Sequence, residues 1–355
     1  MNAVRPIWVL LPAVLGSILG CAARPAGAAD ATAALREVGS VPLPGVEGRF
    51  DHFAVDLDGK RLFVTALGND TVEVIDLAAE PGRHAGSIKG LSKPAGVAFI
   101  PDLKRVAVAS GGDGKCRFFD ATTLAPAGEV GGLDDADNVR YDADRKLLYV
   151  GYGAGAIAVI DPRAVRAAGD VKLAAHPESF RLESRGQRLF ANVPESKDSV
   201  AAVDREKRSV VVTWHLKGAG ANFPMWLDEP HRRLFVGCRR PAKLLVLDTD
   251  SGMTVASVDC VGDADDLFYD EPVKRIYVTG GDGAISVIDQ VDADHYRPAG
   301  EVKTAPGART SLFVPELHRL YLAVPHRGAQ RAEVRVFETT ATNPRIPGSV
   351  NDLPG

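Results

Sequence analysis

Val72-Glu73-Val74-Ile75-Asp76 is a short β-branched run that stops on an acid, and the chain repeats this pattern six more times. The later copies are Cys116-Arg117-Phe118-Phe119-Asp120, Ile157-Ala158-Val159-Ile160-Asp161, Val200-Ala201-Ala202-Val203-Asp204, Leu244-Leu245-Val246-Leu247-Asp248, Ile285-Ser286-Val287-Ile288-Asp289 and Val334-Arg335-Val336-Phe337-Glu338. Their acids are spaced 44, 41, 43, 44, 41 and 49 residues apart. Short strands and turns recurring at a period in the low forties are the signature of β-propeller blades.

Working outward, a second strand precedes each run: Leu62-Phe63-Val64, Val106-Ala107-Val108, Leu148-Tyr149-Val150, Leu189-Phe190-Ala191, Leu234-Phe235-Val236, Ile276-Tyr277-Val278 and Leu320-Tyr321-Leu322. A charged or glycine-bearing turn, such as Asp58-Gly59-Lys60, separates it from an innermost strand such as Phe53-Ala54-Val55-Asp56. After the acid comes an outer strand, as in Gly86-Ser87-Ile88. The seventh repeat stops at Glu338 without an outer strand, and Arg36-Glu37-Val38-Gly39-Ser40-Val41 at the other end has the missing pattern. The expectation is an all-β, seven-bladed propeller of four-stranded antiparallel blades over residues 36–338. The N-terminal strand completes the last blade and leaves no open edge. Because the acids recur in all seven blades, they read as structural.

The Leu-Phe-Val and Val-Ile-Asp strands resemble the YVTN-repeat, YncE-like β-propeller family of bacteria, over about residues 36–338. The resemblance implies the fold and leaves function open, since such propellers serve as enzymes, enzyme subunits and binding scaffolds.

Residues 1–28 read as an export signal: Arg5 is followed by an apolar segment from Ile7 to Leu19, short for a membrane span. Two cleavage readings stay open. Ile18-Leu19-Gly20-Cys21 resembles a lipobox, which would anchor the protein to a membrane through a lipid on Cys21, and Ala26-Gly27-Ala28 resembles an ordinary cleavage site. Either implies a periplasmic protein or an outer-membrane-anchored lipoprotein, with residues 29–35 as tether and 339–355 as an irregular tail. The 355 residues are 45% hydrophobic and 25% charged with a net charge of −4, and no basic run is long enough for a nucleic-acid stripe. The chain reads as a monomer. Cys116, Cys238 and Cys260 remain after export, and the last two sit on strands separated by a third, about 10 Å apart and too far to bridge.

The repeat supplies its own control, because residues that differ between equivalent positions are not required by the blade. Aligned on the second strand, the position of Asp51 is matched by Ala95, Asp137, Glu178, Phe223, Asp265 and Arg309. The position of His52 is matched by Gly96, Asn138, Ser179, Pro224, Asp266 and Thr310. These positions open the innermost strands and should converge around the axis at one channel mouth, with Arg49, His176, Asn222, Arg239 and Arg240 joining from adjacent loops. Polar groups of both signs in one concavity are the default pattern of a binding site.

Two chemistries fit. Asp51, Asp137, Asn138, Glu178, Asp265 and Asp266 could hold one divalent metal ion, with His52 and His176 as further ligands or as catalytic bases of a lactonase-like hydrolase or lyase. Alternatively Arg49, Arg239 and Arg309, with Asn222 and Thr310, could take a small polar or anionic molecule without a metal. A structural alternative is that the ring only solvates the mouth, leaving the rims as an interaction scaffold. No phosphate-binding loop, CxxC, CxxCH, HExxH or nucleophile elbow occurs.

Overall fold

The structure, a computed structural model, describes Met1 and residues 34–339. The export signal, Cys21, most of the tether and the tail from residue 340 lie outside the described residues. Among the described residues no helix is long and apolar enough to cross a membrane.

Seven four-stranded antiparallel sheets form the ring. Blade one is made of Phe53–Asp56, Arg61–Ala66, Thr71–Asp76 and Arg83–Ile88, in order from the axis outward. Blades two to six repeat that layout. The two middle strands are covered on both faces by neighbouring blades, which is why they read as continuous apolar runs. The outer strand, half open to water, alternates instead.

The core is correspondingly divided into seven clusters, each shared by adjacent blades. Phe63, Val72 and Val74 of blade one pack against Val97, Val106 and Val108 of blade two. Tyr277 of blade six packs with Phe313 of blade seven, and Tyr321 and Val336 of blade seven pack with Val64 and Ile75 of blade one. Each fully buried leucine or phenylalanine contributes about 2–3 kcal/mol, so the ring is held by its inter-blade seams.

Closure follows the sequence reading, with one more residue at each end. Leu35–Pro42 pairs antiparallel with Glu333–Thr339, in register from Leu35 opposite Thr339 to Val41 opposite Val334. The recurring acids close turns. Asp76, Asp120, Asp161, Asp204 and Asp248 each accept a backbone N–H two residues on through Oδ1. Asp289 and Glu338 instead pair with Arg275 and Arg319 across the strand. Cys116, Cys238 and Cys260 are free thiols, each pushed up to about 12 by burial.

Candidate functional site at the channel mouth

The ring positions are set by a regular device. The residues equivalent to Asp51 and His52 lie at the head of each innermost strand, where the ladder to the second strand is bonded on either side of the pair. Asp51 N–H donates to Thr65 O, and Thr65 N–H donates back to His52 O. The same exchange occurs at Asp137 and Asn138 with Gly151, and at Glu178 and Ser179 with Asn192. In blades two, five and six the register slips here, a bulge that re-aims side chains toward the axis.

Second-strand side chains then tie each ring position to the next blade. The Thr65 hydroxyl donates to Ala95 O, Asn192 Nδ2 to Phe223 O and the Thr279 hydroxyl to Arg309 O. Gly96 is required by crowding, since a Cβ there would overlap the Asp137 carbonyl oxygen.

The channel has three parts. Above the ring lies a vestibule of about 820 Å³, walled by Asp51, Asp137, His176, Glu178, Phe223, Arg239, Asp265, Arg309 and loop residues such as Lys93, Asp134 and Glu195. At the ring the channel narrows to a waist of about 40 Å³ between Asp51, His52, Asp137, Asn138, Glu178 and Asp266. Below it, past His52 and Asp266, a second cavity of about 390 Å³ opens toward the far face.

Among the described residues, Asp51, His52 and Asp137 are the one group of acids, histidines or cysteines whose ligand atoms all lie within 4.8 Å of one another. His52 Nε2 is 3.8 Å from Asp51 Oδ1 and 3.6 Å from Asp137 Oδ1. From the other side His176 Nε2 stands 4.0 Å from Asp137 Oδ2. His176 Nδ1–H donates to Gly153 O at 2.8 Å, leaving Nε2 as the nitrogen that faces the site. The buried oxygens Asp137 Oδ1 and Asn138 Oδ1 have no hydrogen-bond donor, although buried acceptors are normally satisfied.

The charges divide into a paired half and an uncompensated half. Arg239 pairs with Asp265 and, at 3.4 Å, with Asp263, and its guanidinium lies 3.5 Å over the Phe223 ring. Arg309 holds Asp263 at 2.9 Å and Asp265 at 3.0 Å. These arginines are therefore committed to Asp263 and Asp265, and Arg49, half exposed, reaches Asp51 at 3.1 Å.

On the other side of the waist, burial followed by the charge of Asp137 raises Asp51 and Glu178 to about 7. Burial also raises Asp266 to about 7. Asp137 keeps its charge: burial opposes it, but His176 and His52 more than offset that and hold its pKa below the usual carboxylate range. Burial likewise works against the His52 imidazolium, yet Asp137 and Asp51 lift it to about 9. His176, held chiefly by Asp137 against burial, also rises to about 9. The waist carboxyls thus retain protons chiefly because burial disfavours their charged form, with neighbouring acids adding to the effect.

The sequence-selected residues fall into three sets. Asp51, His52, Asp137, Asn138, Glu178 and Asp266 converge on the waist, and His176, Arg239, Asp265, Arg309 and Arg49 line the vestibule. Asn222 and Thr310 are instead buried in the wall. Asn222 Nδ2 donates to Asn192 Oδ1 and Ser199 O, and the Thr310 hydroxyl donates to Phe50 O. With both His52 and His176 at about 9, neither imidazole is a ready base at neutral pH in the metal-free site. Arg140 and Arg181, absent from the site expected from the sequence, line both the waist and the cavity below it.

No family model matches the chain, and no curated protein does. Among solved structures, a chain of the mitotic checkpoint complex is similar at 15% identity, with a TM-score of 0.71 over 95% of this chain and 99% of that one. Hydrazine synthase of Kuenenia stuttgartiensis is similar at 16% identity, with a TM-score of 0.69 over 79% of this chain and 95% of its own. At such identities the likeness is one of architecture, and what this chain shares with both is the β-propeller fold.

Proposed function

We propose that the upper mouth binds a small polar ligand through a divalent cation held by Asp51, His52 and Asp137. The observation that carries this reading is the convergence of those three ligand atoms beside buried acceptor oxygens that no protein donor reaches. A dication would supply the missing positive charge and displace protons from the imidazole and carboxyls. The mixed oxygen and nitrogen set favours manganese, iron or zinc over calcium. The vestibule above has room for a metabolite-sized ligand, with Glu178 on its wall.

The chain's placement among YVTN-repeat, YncE-like propellers, its export, and lipidation at Cys21 are parts of the same reading. They are supported by the repeat residues and the N-terminal sequence. A second reading, a metal-assisted hydrolase or lyase, draws support from Glu178. A carboxyl at about 7 beside the vestibule is poised to exchange a proton near neutrality. A scaffold role would fall instead to the rims and the exposed outer-strand residues Val210, Val211 and Val212.

The test is calorimetry on chelator-stripped protein titrated with manganese, zinc and calcium ions, beside Asp137→Asn. Binding of one equivalent, with a raised melting temperature that the variant loses, supports the reading. Absence of saturable binding of any of the three ions to folded protein would overturn it.

A further inference from the structure

Below the waist the channel changes character. The innermost strands run on from the ring toward the far face, and the channel position two residues after His52 is occupied in turn by Ala54, Ala98, Arg140, Arg181, Trp226, Phe268 and Leu312. Five blades present an apolar group there, and two adjacent blades present arginine. The result is a cavity of about 390 Å³ with two guanidinium groups against aromatic walls.

Neither arginine has an acid within 4.0 Å, whereas Arg239 and Arg309 just above each hold two. Each fork uses one of its five N–H groups on protein: Arg140 on Val139 O at 2.8 Å, and Arg181 on Met225 O at 3.0 Å. Arg140 Nε is buried without a partner. The Arg181 guanidinium lies 4.0 Å over the Trp226 ring, and both side chains line the cavity. Burial pushes both groups below the usual arginine range, only partly opposed by the charge of Asp266 and, for Arg140, of Asp137. Asp266, on the shared wall with the waist, is bonded to Ser311 N–H at 2.7 Å.

We propose that this lower cavity is a second ligand site, adjoining the cation site above, that takes a carboxylate carried on an aromatic body. Arg140 and Arg181 would fork onto the carboxylate, and Trp226, Phe268 and Phe99 would cover the ring. Two convergent guanidinium groups match the bidentate geometry of a carboxylate. His52, Tyr141, Asp266 and Ser311 also line the cavity, but aromatic and aliphatic side chains make up most of its wall, and such a pocket with a few placed charges suits an amphipathic small molecule. This site does not depend on the reading of the upper mouth.

The probe is naphthoate, titrated into the purified protein and followed by calorimetry and tryptophan emission. One equivalent binds and quenches emission, and the quench is lost in Trp226→Phe. The uncharged naphthamide binds about tenfold or more weakly, because charge-assisted hydrogen bonds are lost. The double variant Arg140→Gln, Arg181→Gln loses about thirtyfold or more by the same reasoning, and its melting temperature stays level or rises. A structural role for the two cations would lower it. Ala98→Phe narrows the cavity without touching a charge and also abolishes binding, which keeps the test available if the double variant fails to fold. Equal binding of naphthoate and naphthamide, undiminished binding in the folded arginine variant, or no saturation would overturn the proposal.

Discussion

Asp137 is the group on which the electrostatics of the waist turn, so Asp137→Asn in metal-free protein is the sharpest perturbation. Its carboxylate faces His52 at 3.6 Å and His176 at 4.0 Å. Unit charges about 4 Å apart interact by about 4 kcal/mol at an effective dielectric constant of about 20, which is about three pKa units. Both imidazoles rise from 6.5 to about 9, with burial opposing and Asp137 foremost among the groups that lift them. The two should not respond equally. His176 depends on Asp137 first, whereas His52 keeps Asp51 at 3.8 Å. Asp51, freed of its anionic neighbour, will also ionise more readily. The expectation is that His176 falls by about two units or more while His52 falls less. Proton NMR titration of the imidazoles in chelator, assigned with His52→Gln and His176→Gln, reads both values. A His176 that still titrates above about pH 8 in Asp137→Asn would refute the assignment of its charge to this contact.

Three further expectations follow from the same geometry. Asp51, Glu178 and Asp266, raised to about 7, and His52 and His176, raised to about 9, all bind protons more tightly in the folded state. Their stabilisation is therefore complete at low pH. It is lost as pH rises, through the carboxyls first and then between 6.5 and about 9 through the imidazoles. A melting temperature in chelator that is flat or rising from pH 5 to 9 would contradict this. Phe235→Ala removes a fully buried ring that meets Tyr269 and Tyr296 edge-on, and should cost about 3–5 kcal/mol in denaturant unfolding. Gly96→Ala pushes a methyl into the Asp137 carbonyl, so it should cost about 1–3 kcal/mol and weaken manganese binding, read by melting and calorimetry.

The repeat made the architecture legible, because seven copies of a strand ending in an acid leave one closed arrangement, down to Leu35–Pro42 completing blade seven. The waist was legible for the same reason: His52, Asn138 and Asp266 stand where Pro94-Ala95-Gly96 shows what a plain blade carries. Asn222 was placed with them, although its own row across the blades reads Phe50, Pro94, Ala136, Pro177, Asn222, Ala264 and Ala308. That row is buried in every blade, so the same alignment held the signal for a wall position. Arg140 and Arg181 were missed because the comparison stopped at the strand heads, two residues short of a row that is otherwise apolar. The capture of Asp263 and Asp265 by Arg239 and Arg309 crosses between blades and depends on side-chain reach, which a linear repeat does not encode.

Blade seven is sewn from both ends of the chain, and its neighbour, blade one, carries Asp51 and His52 of the waist. Asp51 and His52 open the innermost strand of blade one, Arg309 and Thr310 precede Ser311–Val314, the innermost strand of blade seven, and the Thr310 hydroxyl bonds Phe50 O between these two blades. A partly threaded or unfinished chain has the groups but no enclosure to hold them in apposition. Enclosure of the channel therefore depends on the meeting of Leu35–Pro42 and Glu333–Thr339, so damage to either chain end reaches the mouth through this join.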